Sequence, residues 1–141
     1  MWEASVTIEE INTFNKGTMV EHLGIEFTEI SENSLTATMP VDHRTLQPYG
    51  IMHGGASAAL AETVGSIASN FCVDQNTHYC VGLDINTSHL KMAKNGFVTG
   101  VAKPIHIGRT THVWEVRIYD EAKALISQSR LTMMVLRKNR G

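Results

Sequence analysis

The sequence predicts an α+β fold: a six-stranded antiparallel sheet carrying one long helix on its face. Three observations lead there. The stretch Gly54 to Ala68 is built almost wholly of small residues, the composition of a helix wrapped closely by other backbone. The segments on either side of it alternate with a period of two, the signature of half-buried strands. No glycine-rich phosphate loop or alternating strand-helix pattern supports a doubly wound sheet. At 141 residues the chain is read as a single domain, 1–141.

The elements follow in order. Thr7 and Glu10 stand at capping-box spacing, and Ile8, Ile11 and Phe14 recur at helical intervals before Gly17, which predicts a short first helix. Ile25 and Phe27 open a strand, and Ser31 to Ser34 supplies turn chemistry. Leu35, Ala37, Met39 and Val41 then alternate with polar residues and Pro40, completing a hairpin. Asp42 to Met52 contains Pro48 and Gly50 without periodicity and is read as a loop. The long helix runs from Gly54 to about Val73. Beyond it, Tyr79, Val81, Leu83 and Ile85 are expected on one strand face, with Gly82, Asp84 and Asn86 on the other. Three further strands are expected at Gly96–Ile107, Thr110–Tyr119 and Ala124–Leu136.

Charge and composition narrow the function. The net charge of −2 carries no excess of cations to attract a nucleic-acid backbone or an anionic membrane. Glu62 in the most apolar segment would cost roughly 3 kcal/mol at mid-bilayer, so that segment reads as a buried helix and not a membrane span. Charged residues make up 18%, below a typical ~25%, which points to surface covered by self-association. A domain of this size has little material for a deep private cavity, so a sizeable ligand is expected in a cleft or between subunits. Cys72 and Cys80 lack the spacing and density of a disulfide scaffold, and Met1 to Thr7 lacks a signal-peptide pattern, so a cytoplasmic protein with free thiols is expected. The basic run Arg137 to Arg140 is read as a solvated tail.

For chemistry, His22, His43, His53, His78, His89, His106 and His112 form no zinc-type pair, and the serines form no nucleophile elbow. No metal site is expected. Glu62 is the residue that stands out, because an unpartnered carboxylate on an alanine-rich helix either faces water or has a chemical purpose. Ser66, four residues on, shares its helix face and can donate to it. Gly54 and Gly55 stand at the helix N-terminus, where free amides and the positive end of the helix dipole can stabilise an oxyanion, although glycine there also serves a tight turn. Gln47 and His53 are placed to orient a carbonyl or a water, or are ordinary loop residues.

Taken together, Gln47-Pro48-Tyr49-Gly50-Ile51-Met52-His53-Gly54-Gly55-Ala56, followed by Leu60-Ala61-Glu62 and Ser66, resembles the signature of hotdog-fold acyl-CoA thioesterases of the phenylacetate-pathway and 4-hydroxybenzoyl-CoA type. The resemblance continues through Val81 to Asn86, His89 and His106 to Thr110. Within the family it is nearest to bacterial enzymes acting on 1,4-dihydroxy-2-naphthoyl-CoA or on aryl groups misloaded in enterobactin synthesis. The resemblance implies a long central helix wrapped by a curved antiparallel sheet. It implies Glu62 as nucleophile or general base, and the Gly54 amide polarising the thioester carbonyl with help from His53. Gln47 would orient substrate or water, and Ser66 would hold Glu62 or the water. Gly55, Gly82, His89, Leu90, Lys91, Met92, His106, Gly108, Arg109 and Thr110 are the implied substrate contacts, with Lys91 and Arg109 as partners for phosphate oxygens and His89 open to the acyl group instead. The implied reaction needs no metal or redox cofactor, coenzyme A being part of substrate and product.

Helix geometry adds a further expectation. Gly54 and Glu62 are separated by about 12 Å along a helix axis, whereas one reacting carbon must lie about 3 Å from both groups. Two such helices packed antiparallel across a twofold axis would bring Gly54 of one copy to Glu62 of the other. The expectation is therefore a homodimer with shared active sites; the family resemblance implies such dimers as well, paired further into a homotetramer. The alternatives are a hotdog hydratase or dehydratase acting on acyl thioesters, and a non-catalytic acyl-CoA-binding protein.

Overall fold

Hydrogen-bond patterns already visible in the sequence build the periphery of the fold in the computed structural model, which describes residues 1–3 and 5–139. Helix α1 (Ile8–Phe14) begins on the expected capping box: the Thr7 hydroxyl accepts from the Glu10 amide at 3.1 Å, and the Glu10 carboxylate accepts from the Thr7 amide at 3.4 Å. Its Ile11 is buried in the core. A second short helix, α2 (Met19–His22), was not among the expected elements. Thr18 caps it by accepting from the Val20 amide, and Glu21 stands three residues after Thr18, the same spacing that marks α1.

Strands β1 (Glu26–Ile30) and β2 (Leu35–Pro40) form the hairpin, with Leu35, Ala37 and Met39 buried in alternation. Helix α3 (Gly54–Asn70) follows, and then β3 (His78–His89), β4 (Phe97–Ile107), β5 (Thr111–Tyr119) and β6 (Leu125–Arg137). All six strands lie antiparallel in one sheet of order β1-β2-β4-β5-β6-β3, so β3 forms an edge. This is the hotdog architecture. Of the C-terminal basic run, Arg140 lies outside the described residues.

The small residues of α3 have a packing cause. Leu60, Ala61, Val64 and Ala68 are completely buried against the sheet residues Trp114, Val116, Ile118, Leu131 and Met133. A Cβ at Gly65 would stand only 2.5 Å from Leu131 Cδ2, and overpacking of that kind costs about 1–3 kcal/mol. The helix ends at Asn70, short of the expected Val73, because the Asn70 carboxamide turns to the sheet: it accepts from the Cys80 amide at 2.8 Å and donates to the Cys80 carbonyl at 3.2 Å. Cys72 and Cys80 are free and buried, and desolvation pushes their thiols up to about 12 and about 11. Among the described residues no helix is long and apolar enough to cross a membrane.

The expected faces of β3 are corrected. Gly82 pairs with Met133 and Asp84 with Thr132, leaving Leu83 as an extra residue in a bulge. The bulge shifts the alternation, so Tyr79, Val81 and Leu83 are exposed while Ile85 packs inward against the core. Gly82 also turns inward, beneath α3. Helix and strand run in opposite directions, with Gly54 beside His89, Glu62 beside Gly82 and Asn70 beside Cys80.

Candidate active site

The loop before α3 is held so that it delivers two polar side chains to the helix N-terminus. Thr45 is buried and its hydroxyl donates to the Pro40 carbonyl at 2.8 Å; its own carbonyl accepts from the His53 amide at 2.7 Å. A bridge between Leu46 and Met52, with the Gln47 amide donating to the Ile51 carbonyl, closes the turn over Gly50, whose φ of 78° suits glycine. The Gln47 side-chain oxygen accepts from the Tyr49 amide. That bond orients the carboxamide and leaves its NH2 group as the outward donor.

His53 occupies the N-cap of α3, and its Nδ1 accepts from the Gly55 amide at 2.7 Å. This uses up one of the two glycine amides expected to be free. The Gly54 N–H has no partner among the described residues and stands at the positive end of the helix dipole. Opposite it lies His89: a Cβ on Gly54 would be 3.0 Å from His89 Nε2, so the absent side chain lets the imidazole approach the amide. Gln47, Gly54, His89, Leu90, Lys91 and Met92 are among the residues that line one cavity of about 370 Å³.

Glu62 faces a different cavity, also about 370 Å³, whose walls include Met19, Ala58, Ala59, Ser66 and Ile85. It is exposed and makes no hydrogen bond among the described residues. The expected Ser66–Glu62 hydrogen bond is therefore absent, although both residues line the same cavity. Gly82 makes room beneath the carboxylate. The two cavities share no lining residue, so one chain does not bring Gly54 and Glu62 to a common point.

The expected nucleotide contacts are likewise dispersed. Lys91 Nζ lies 3.2 Å from Asp120 Oδ2, so its ammonium already has a carboxylate partner; that carboxyl is held below its ordinary range first by the Ala124 amide and then by Lys91. The turn bearing His106, Gly108, Arg109 and Thr110 is at the other end of the sheet, since Thr111 pairs with Met134 on β6 whereas His89 pairs with Ser127. Gly108 is required there: a Cβ would meet His106 Nε2 and stand 2.9 Å from the Thr111 carbonyl. Arg109 is exposed at the tip. Sequence reasoning missed Met19 and Ile85 beside Glu62 and Asp120 beside Lys91; only α2, through its Thr18–Glu21 spacing, left a readable signal. Among the described residues no three His, Cys, Asp or Glu side chains gather to hold a metal ion.

An unpartnered helix-end amide and a carboxylate further along the same helix are groups that acyl transfer can use, and residues 49–127 match the thioesterase superfamily. The chain belongs to that superfamily and is a thioester hydrolase. A crystal structure of a variant thioesterase from Pseudomonas aeruginosa superposes with a TM-score of 0.96 at 46% identity, covering 97% of this chain and 99% of the other. The 1,4-dihydroxy-2-naphthoyl-CoA hydrolase of Escherichia coli is 45% identical over 136 residues, 96% of this chain and 99% of the relative. The proofreading thioesterase EntH of Cronobacter turicensis is 46% identical over 136 residues, 96% of this chain and 98% of its own length.

Proposed function

We propose that the protein hydrolyses an aromatic or medium-size acyl-CoA, with 1,4-dihydroxy-2-naphthoyl-CoA and other aryl-CoA thioesters as the leading candidates, to the free acid and coenzyme A. The name of the Escherichia coli relative supports the aryl-CoA class, and that of the Cronobacter relative supports thioester cleavage. In this reading the thioester carbonyl oxygen accepts from the Gly54 amide, with His53 alongside and the Gln47 NH2 group as a further donor. Glu62 either attacks the carbonyl carbon directly or takes a proton from a water that does so; the C–S bond then breaks and the thiolate of coenzyme A leaves, and in the first case water hydrolyses the resulting Glu62 anhydride to give the free acid and restore the carboxylate. Ser66, on the wall of the same cavity as Glu62, holds the water. No metal or redox cofactor takes part.

The observation that carries the mechanism is the separation of the Gly54 and Glu62 cavities along α3. A second copy related by a twofold axis supplies the missing half. Edge strand β3 is long enough to pair with its own copy, which would satisfy its free backbone edge and bring the two α3 helices side by side. Ala58 and Ala59, half-buried on the flank of α3, permit a close approach. Lys91 of one copy and Arg109 of the other would then flank the same cleft, and two such dimers would complete a tetramer. A cytoplasmic location accords with the free, buried thiols.

The test is thiol release from aryl-, naphthoyl- and fatty acyl-CoA, with Glu62→Ala as control. The expected outcome is turnover of an aryl-CoA that falls by orders of magnitude in the variant, with an unchanged melting temperature because Glu62 is exposed and unbonded. Near-normal turnover in the variant, or loss of unsaturation without thiol release, refutes the reading.

A further inference from the structure

We infer that Met19 is a specificity-determining residue: its side chain is the adjustable wall of the Glu62 cavity and sets how large an acyl group the enzyme accepts. The inference rests on the acyl-CoA reading above. Helix α2 is held in place without Met19. Val20 and Leu23 pack against the core, the Thr18 hydroxyl donates to the Asn15 carbonyl at 2.6 Å, and the Ile25 amide donates to the Val20 carbonyl at 3.0 Å. Met19 itself is 62% exposed, and a polar residue would serve the fold equally well at such a position. Its apolar side chain stands instead on the wall of the cavity that holds the Glu62 carboxylate.

The two cavities along α3 suit different arms of a thioester. Among the described residues, Glu62 is the one charged group on the wall of its own cavity, and Met19, Val20, Ala58, Ala59, Ile67 and Ile85 make most of the rest apolar. A carboxylate repels phosphate, and apolar walls leave the amides of pantetheine unpaired, so the coenzyme A arm is disfavoured there and an apolar acyl group is favoured. The Gly54 cavity carries Lys91, His89 and Gln47, which can serve a polar, anionic arm. Of the large side chains around Glu62, Val20, Ile67 and Ile85 are fixed by packing against the core. Met19 is exposed, and an unbranched thioether with three rotatable bonds can take several positions. The limit on acyl size therefore falls where Met19 stands.

The experiment measures kcat/KM for benzoyl-CoA and 2-naphthoyl-CoA, and the inhibition constant of free coenzyme A, in the wild type, Met19→Phe and Met19→Ala. One methylene more or less in an apolar pocket changes kcat/KM by about tenfold or more. Met19→Phe should therefore lower the naphthoyl-to-benzoyl ratio of kcat/KM about tenfold, and Met19→Ala should raise it by a similar factor. The inhibition constant of coenzyme A should stay within about twofold in both, because the acyl side alone is altered. The two variants change the cavity in opposite senses, so either one tests the inference if the other fails to fold. An unchanged ratio, including the equal losses for both thioesters that a role only in joining two copies would give, would overturn the inference while leaving the acyl-CoA reading in place. A weakened hold on free coenzyme A would do the same. A wild type that cleaves neither thioester would instead refute the acyl-CoA reading, and the inference with it.

Discussion

A methyl group added at Gly82 would stand 3.3 Å from Glu62 Oε2, so the bulged edge strand and the middle of the central helix meet at the carboxylate and nothing larger than glycine fits beneath it without moving it. Gly82→Ala should displace the carboxylate by a few tenths of an ångström. Since a misplacement of about 1 Å can cost 10²-fold, kcat should fall about tenfold while the melting temperature stays level or rises slightly, alanine being easier to order than glycine. Steady-state thiol release with parallel thermal melts checks this, and an unchanged kcat would separate Gly82 from the chemistry.

The Gly54 amide can be removed with little cost to the helix. Gly54 is the first residue of α3, where proline is accepted, and His53 before it has φ −65° and ψ 132°, the extended conformation a following proline favours. Gly54→Pro should therefore fold and lose about 10²- to 10³-fold in kcat, the usual effect of deleting one oxyanion donor. Gly54→Ala places a carbon equally close to His89 but retains the N–H. It should lose about tenfold at most, because the exposed imidazole can swing aside. Similar losses in the two variants would mean that crowding, and not the amide, is responsible.

Most of the fold was legible because its signals are local. The Thr7–Glu10 box, the alternation of Leu35 to Met39 and the small residues from Gly54 to Ala68 each concern neighbours along one element. What was hidden depends on distant partners or on backbone irregularity. Nothing around Leu83 marks a bulge, so simple alternation puts Tyr79 and Val81 on the same face as Ile85, whereas they lie opposite it. Lys91 and Asp120 are paired across the fold, and Ser69 meets His112 and Trp114 only once helix and sheet have packed. At the site, the motif around His53 pointed to Gly54 and Gly55 together, but the capping of Gly55 by the histidine ring, which leaves Gly54 as the free donor, is a matter of rotamer and not of spacing.

Stability should depend on pH through His112. Burial first of all lowers its affinity for a proton below the ordinary value of 6.5, outweighing the Gly108 backbone bond, with His106 adding to the lowering. Below that value the unfolded chain therefore binds a proton that the folded chain resists. The stability is fully present above about pH 6.5 and is lost as the pH falls through that value. Melting temperatures at pH 7.5 and 5.5 should differ more for the wild type than for His112→Asn; an equal difference would assign the acid sensitivity elsewhere.

The central claim is that two copies of the chain share each catalytic site, and mixed oligomers test it most directly. Subunits carrying Gly54→Pro and subunits carrying Glu62→Gln, each nearly inactive alone, are unfolded together, refolded and separated by affinity tags. In a verified mixed dimer one site receives both defects and the other receives neither, so thiol release should recover to about half the wild-type rate per dimer. Mixed dimers that stay as inactive as their parents would contradict the account and place Gly54 and Glu62 of one chain in one site.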